Sequence, residues 1–379
     1  MNAAVDTLDP ALRRLVDQIR SASASRTALD IRGGGSKAFY GGPPRGEGLD
    51  MRQLAGISSL EPTELVVTAR AGTPLAELEA ALGEHGQCLA FEPPRFGGGG
   101  ADHPGTVGGM VAAGLAGPAR ASAGAVRDHV LGATVLNGRG ELLTFGGQVM
   151  KNVAGYDVSR LMAGSLGTLG VITELSLKVL PRPVAEASLR FDMDQAQALR
   201  QLNRWAALPL PLNASCWFAA PGGIGQLVLR LRGAQAAVDA ACELLAGEPL
   251  APMQAQTFWQ SVREQNGLLF DRADDACLWR LSVPDTAGVL PLADLDTVCE
   301  WGGALRWVKA PAARAQELRR VAQAVGGQAQ LFRRASSGGA DWPEFLHPMA
   351  GPLQRIQREL RRQFDPAGVF SHVRLSRAA

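Results

Sequence analysis

Glycine placement constrains this chain more than any other feature of its sequence. There are 45 glycines in 379 residues, well above the about 7% of ordinary proteins. They crowd into three stretches of the first half, Gly33 to Gly48, Gly97 to Gly117 and Gly138 to Gly170. No collagen-like period runs through them, so they mark turns and close backbone approaches rather than a fibre. Between the clusters lie β-rich segments at Thr27 to Arg32, Glu64 to Ala69, His129 to Leu136 and Gly170 to Val179, alternating with helical stretches such as Pro74 to Leu82. The pattern is α+β, with its chemistry in loops.

Pro181, Arg182 and Pro183 follow the last of these strands, and proline both stops a ladder and stiffens a linker. The sequence therefore divides into a first domain over 1–183 and a second over 184–379. The second reads as strand (Ala187 to Phe191), helix (Gln195 to Trp205), strand (Ala214 to Ala219), strand (Gln226 to Leu231) and helix (Ala234 to Ala246), then strand-like Cys277 to Val283 and Ala304 to Lys309. Such alternation suits a ferredoxin-like layer, an antiparallel sheet with helices on one face. Six of the seven tryptophans fall between Trp205 and Trp307, as expected of a domain core and its contact with the first domain.

A formal charge of +2 is too small for a nucleic-acid footprint and leaves small molecules or proteins as partners. The cysteines, Cys88, Cys216, Cys242, Cys277 and Cys299, form no metal-ligand or CxxC pair and read as buried thiols of a reducing compartment. Asp6, Asp9, Arg13, Arg14 and Asp17 interrupt any apolar leader, so the first segment is expected to be a surface helix. Prolines and glycines break the uncharged stretch between Arg204 and Arg230, which argues against a membrane span. A cytoplasmic location is expected, with any attachment at the inner membrane made through partner subunits.

Three segments are candidates for holding an anionic cofactor. Arg32-Gly33-Gly34-Gly35-Ser36 follows a strand, and its glycines bring backbone N–H groups together beside the Ser36 hydroxyl. It has neither Walker spacing nor the GxGxxG order of a Rossmann turn, and an ordinary tight loop would explain it equally well. Pro104 to Gly114 places Thr106 as a donor next to Gly108 and Gly109, where close helix packing is the competing explanation. Gly164, Gly167 and Gly170 then lead through Thr168 into Val171 and Ile172, an apolar wall for a flat ring.

Taken in order, RGGGS, PGTVGGM, RDHVLG and KNVAGYDVSRLMAGSLGTLGVIT resemble the FAD-binding domain of the vanillyl-alcohol-oxidase, or PCMH-type, family. The resemblance covers about Leu29 to Pro183 and returns at Phe364 to Phe370, similar to the family's FDPxGxF segment. It implies a two-part FAD domain, a smaller ferredoxin-like cap domain, and a C-terminal segment folding back on the FAD domain. It also implies an FAD held by Arg32, Gly33, Gly34, Gly35, Ser36, Thr106, Gly108 and Gly109 at the pyrophosphate and by Gly167, Thr168, Gly170, Val171 and Ile172 toward the adenine. No His or Cys flanks RGGGS, so the cofactor is expected to be noncovalent. Within the family, length, KNVAGYDVSRL and the C-terminal ending resemble the smaller FAD-binding subunits of bacterial glycolate oxidases. That implies oxidation of a 2-hydroxy acid, glycolate to glyoxylate, beside a homologous flavin subunit and an iron-sulfur subunit. Ser371, His372 and Val373 replace the family's Asn-Pro-Gly before Arg374, a departure at the tail.

Oxidising a 2-hydroxy acid at a flavin needs a cationic clamp for the carboxylate and a base or metal for the hydroxyl proton. The paired-histidine metal site of catalytic relatives is absent from the sequence, and no histidine occurs between His129 and His347. His347 is a candidate base or a structural residue; Arg333, Arg334 and Arg374 are candidate carboxylate ligands or surface and subunit-contact residues. An intact flavin scaffold beside so sparse a catalytic set points to an FAD-binding subunit that works within a complex. The competing expectations are a self-sufficient 2-hydroxy-acid dehydrogenase and a flavin-free structural subunit.

Overall fold

The Asp9 carboxylate accepts the Ala11 amide at 2.8 Å and, with Pro10 in the first turn, starts helix α1 (Pro10–Ser25), whose Leu15, Val16 and Ile19 enter the core. The structure is a computed structural model that describes residues 9–43, 45–96, 105–147, 157–219, 224–267, 269–337 and 342–370. Pro104, Lys151 to Tyr156, and Ser371 to Arg374 lie outside the described residues.

Strands β1 (Leu29–Arg32) and β2 (Glu47–Asp50) pair in parallel across the loop that opens with the glycine run. There follow β3 (Ile57–Glu61), β4 (Val66–Arg70), α2 (Leu75–Glu84), β5 (Gln87–Cys88), α3 (Val107–Ala113), β6 (Val130–Leu136), β7 (Leu142–Gly146), β8 (Val171–Lys178) and β9 (Leu180–Pro181). Five of these strands form an antiparallel sheet in the order β3-β4-β8-β6-β7, while β5 pairs with β9. Leu15 and Ile19 of α1, Leu78 and Leu82 of α2, and Val67, Leu175 and Leu177 of the sheet share one apolar core. This is the two-part architecture that the family resemblance implies.

A second sheet begins at β10 (Ala185–Asp192) and continues through α4 (Gln195–Ala206), β11 (Leu212–Phe218), β12 (Gln226–Gly233), α5 (Gln235–Leu245), β13 (Glu248–Pro249), α6 (Pro252–Glu264), β14 (Cys277–Ser282), β15 (Thr297–Glu300), β16 (Leu305–Ala310), α7 (Ala315–Ala324) and β17 (Gln328–Arg333). The eight strands are antiparallel, in the order β13-β10-β12-β11-β15-β16-β14-β17. Alternation assigns their two faces. Trp217, Leu227, Leu229, Trp279 and Val308 meet α4, α5 and α7. The intervening Cys216, Val228, Leu278, Trp307 and Phe332 meet α6 and, from the first domain, Tyr40, Ala113 and Leu115. Helices α4, α5 and α7 thus cover one face, and the opposite face carries α6 and docks on the first domain. Trp217, Trp259, Trp279, Trp301 and Trp307 are all buried in these layers, and the Trp301 indole reaches the Gly117 carbonyl at 3.1 Å.

The chain closes with α8 (Gly351–Phe364) and returns to its start. The Asp365 carboxylate accepts the Val369 and Phe370 amides at 3.0 and 2.8 Å, and Phe370 bridges Leu29 in parallel while the Leu29 amide donates to Val369 at 2.7 Å. Val369 and Phe370 are buried in the first core, so the FDPAGVF segment folds back on the FAD domain as expected.

Glu300, at the end of β15, is buried and accepts the Trp307 indole N–H at 2.6 Å. Burial pushes its carboxyl up to about 8. An acid whose folded pKa is raised gives stability that is present below its unfolded pKa and lost as pH rises through the folded one. Glu300→Gln is therefore expected to gain on the wild type progressively as pH rises from about 5 to about 8, with a constant advantage above that. Denaturant unfolding across this range checks it; a difference independent of pH would contradict it.

Candidate functional site

The three glycine segments are distant in sequence, and the fold brings each against the other two. A Cβ on Gly33 would strike the Thr106 side chain, so the first loop lies flush on the second. A Cβ on Gly114 would stand 2.8 Å from the Gly164 nitrogen, and the Gly164 and Leu166 amides donate to Val111 and Ala112 at 3.0 and 2.9 Å, which locks the second segment to the third. Gly167, with φ of 77°, abuts Ile31 at the end of β1, which closes the third onto the first.

Thr106 is buried and caps α3 by accepting the Gly109 amide at 3.2 Å, which leaves its hydroxyl hydrogen to donate toward the first loop. A Cβ built on Gly105 would lie 3.2 Å from Ser36 Oγ and 3.5 Å from Lys37 Nζ. Two hydroxyls and an ammonium thus gather where no side chain fills the backbone surface, a donor set that fits a pyrophosphate. The missing Cβ of Gly108 makes room for Ala71. Arg32 is held in an ion pair with Asp30, and Thr168 gives its hydroxyl to the Ser165 carbonyl at 2.8 Å. Val171 and Ile172 are buried in β8 opposite Leu136 and Val135, so they buttress the Gly170 turn.

Beside this cradle the two domains enclose a cavity of about 890 Å³, lined in part by Arg95, Phe96, Arg263, Glu264 and Arg333. Glu92 supports it from below. Its carboxylate takes Arg230 at 2.6 Å and Arg232 at 2.5 Å from β12, and it also accepts the Ala119 amide. Burial alone would raise this carboxyl, but the two guanidiniums hold it below its usual range. The end of α6 grips the adjoining chain: Glu264 accepts the Phe96 amide at 2.6 Å, and Arg263 donates to the Pro93 carbonyl at 2.7 Å and to Glu79 at 2.8 Å. Glu92 and Phe96 adopt φ of 49° and 52°, a left-handed geometry held in place by these contacts.

Phe96 is shared by two cations. The Arg333 guanidinium stands 4.7 Å from its ring and 4.1 Å from that of Phe39, while Lys37 Nζ stands 5.6 Å from Phe96. Burial and the neighbouring Arg272 push Arg333 down to about 10, and its Nε is buried with no acceptor. Burial likewise pushes Lys37 down to about 8. Of the two described arginines among the three singled out in the sequence, Arg333 lines the cavity and Arg334 stands 5.8 Å from the Trp342 ring. His347 is tied to β17 by accepting the Ala329 amide at 3.3 Å, and burial lowers its pKa. Lys37, Phe39, Phe96, Arg263 and Glu264 are site residues that sequence reasoning misses. Lys37 directly follows RGGGS and lies within reach of such reasoning, whereas the α6 contacts arise from pairing residues some 170 positions apart.

The fold and the glycine cradle define an FAD-binding oxidoreductase scaffold, and comparison with known proteins agrees. Residues 13–146 match the family model described as an FAD binding domain. The chain is 45% identical over 363 residues to glycolate oxidase subunit GlcE of Escherichia coli (strain K12), covering 95% of this chain and 96% of that one. It is 32% identical over 175 residues to a D-lactate dehydrogenase of Archaeoglobus fulgidus, covering 43% of this chain and 36% of that one. Glycolate oxidase subunit GlcD of Bacillus subtilis is 30% identical over 169 residues, with 44% and 35% covered. Among solved structures, alkyldihydroxyacetonephosphate synthase superposes with a TM-score of 0.62 at 14% identity, over 94% of this chain and 73% of that one, a likeness of fold alone. The chain belongs to the PCMH-type FAD-binding oxidoreductase family, in the branch that includes GlcE.

Gly33→Val is expected to weaken FAD retention by about tenfold or more, since a misfit of even ~1.4 kcal/mol has that effect. The flavin-to-protein absorbance ratio after gel filtration measures it, and tryptophan fluorescence checks that the second domain stays folded. Full retention in that variant would mean the cofactor lies elsewhere.

Proposed function

We propose that this chain is the FAD-holding subunit of a glycolate-oxidising complex, with its flavin noncovalent and on the path of the electrons. The carrying observation is the mutual contact of the three glycine segments, joined to end-to-end similarity with GlcE. In this reading Gly33, Gly34, Gly35, Ser36, Thr106 and Gly109 hold the pyrophosphate, and the turn from Gly167 to Gly170 faces the adenine side. FAD, when bound, supplies a ring that accepts a hydride equivalent from a 2-hydroxy acid or electrons from a partner. A homologous flavin subunit and an iron-sulfur subunit are the partners that the resemblance suggests. Among the described residues no helix is long and apolar enough to cross a membrane.

Arg333 gives the site a substrate-directed feature: a desolvated guanidinium, flanked by Phe39 and Phe96, in a cavity beside the cradle. It is suited to a carboxylate. Lys37 shares the Phe96 ring and, with a pKa near 8, carries a proton that it can give up under mildly alkaline conditions. These residues favour a second reading as well, in which this chain itself oxidises a 2-hydroxy acid. Among the described residues no group of three His, Cys, Asp or Glu side chains is placed to hold a metal ion.

Arg333→Met is expected to raise KM for glycolate of the assembled complex by about tenfold to a hundredfold, the weight of a charge-assisted hydrogen bond to a carboxylate, with FAD content unchanged. Arg333→Lys is expected to recover part of that loss. An unchanged KM would remove the substrate from this cavity. Anaerobic glycolate added to the isolated chain separates the two readings: persistence of the oxidised flavin spectrum supports the partner-dependent subunit, and bleaching supports the self-sufficient enzyme.

A further inference from the structure

Among the described residues Lys37 forms no ion pair, and its Nζ makes one hydrogen bond, to Ser36 Oγ at 3.4 Å. The acids that act on it are already engaged. Glu264 accepts the Phe96 and Arg95 amides at 2.6 and 3.1 Å, while Glu79 takes Arg263 at 2.8 Å and pairs with Arg95 as well. Enclosure is the largest influence on the amine; it outweighs the attraction of both acids, and with the repulsion of Arg263 it pushes Lys37 down to about 8. Arg333, across the shared Phe96 ring, titrates higher, at about 10.

The surface beside Nζ is backbone. A Cβ on Gly105 would lie 3.5 Å from Nζ and 3.2 Å from Ser36 Oγ, so the amine and the hydroxyl border one patch that no side chain covers. Thr106 comes next in the chain, with Gly33 lying against its hydroxyl. An ammonium drawn partly out of water is stabilised by an anion at such a patch. The oxidised flavin ring is uncharged, whereas the diphosphate of FAD is a dianion, and lysine binds phosphate oxygens as a point charge.

We propose, on the reading that the three glycine segments hold FAD, that Lys37 binds the diphosphate of the cofactor, so that retention of the flavin depends on the protonation of this one amine. An amine engaged in this way holds its proton through neutral pH and is withdrawn from the hydroxyl chemistry of the substrate. Binding of the diphosphate raises the amine's pKa, so affinity is full while the free chain is protonated and falls as pH rises through about 8, where binding must take up a proton. The fall is about tenfold per pH unit above that point, which makes Kd rise about tenfold between about pH 7 and about pH 9.

The test is fluorescence titration of the full chain, stripped of flavin, with FAD and, in competition, with ADP, which carries a diphosphate and no flavin ring. Lys37→Met is expected to raise Kd for both ligands by about tenfold to a hundredfold at about pH 7, the weight of a charge-assisted hydrogen bond, and to bind FAD without the rise toward about pH 9. Lys37→Arg, whose charge persists across this range, is expected to keep most of the affinity and to lose the pH dependence; it decides alone if Lys37→Met fails to fold. A wild-type Kd that stays level with pH, a rise that survives in the variants, a Lys37→Met chain that binds like wild type, or a loss confined to FAD with ADP unaffected would overturn the proposal. A wild-type chain that binds no FAD at all would overturn it together with the flavin site.

Discussion

Gly33 lying directly on Thr106 is the contact on which the rest of the site depends. It fixes the first glycine loop over the start of α3, and α3 in turn carries Gly114 onto Gly164. Any side chain at these junctions would separate segments that must share one ligand surface. Because Thr106 spends a lone pair on the Gly109 amide, it is rigidly oriented while keeping a hydroxyl to donate. Ser36 and Lys37 of the first segment and Thr106 of the second supply the donors, and the third segment packs against both.

Glu92 performs the corresponding task between domains. Arg230 and Arg232 stand on neighbouring positions of the same face-alternating region of β12, and Glu92 draws both to the chain that leads to Phe96. Arg230 is further held by Asn213 at 2.7 Å and stacks on Trp259 at 4.8 Å, so the carboxylate meets an organised pair of cations. A loop of the first domain and β17 of the second place Lys37 and Arg333 around one aromatic ring.

Local signals make much of this legible in the amino-acid order alone. The strand-forming runs and the FDPAGVF ending each act over a few residues, and each forms the element or fold-back expected of it. The second domain's helix-covered sheet follows from alternating periodicities for the same reason. What stays hidden is long-range. Glu92 lies in Phe91-Glu92-Pro93-Pro94, with nothing local to announce two arginines about 140 positions away. The α6 contacts to Pro93 and Phe96 join elements of different domains, and the depressed pKa of Lys37 comes from enclosure that a linear sequence does not display. The contact of Gly108 with Ala71 is equally hidden, since a glycine run does not announce which neighbour fills the space each missing Cβ leaves.

The most direct measurement is the absorption spectrum of the purified full-length chain, recorded before and after denaturation and removal of protein. Flavin bands in the native protein that pass entirely into the protein-free fraction, at close to one FAD per chain, are the expected result. A colourless chain that takes up no FAD on reconstitution would contradict the central claim that the three glycine segments form a flavin site.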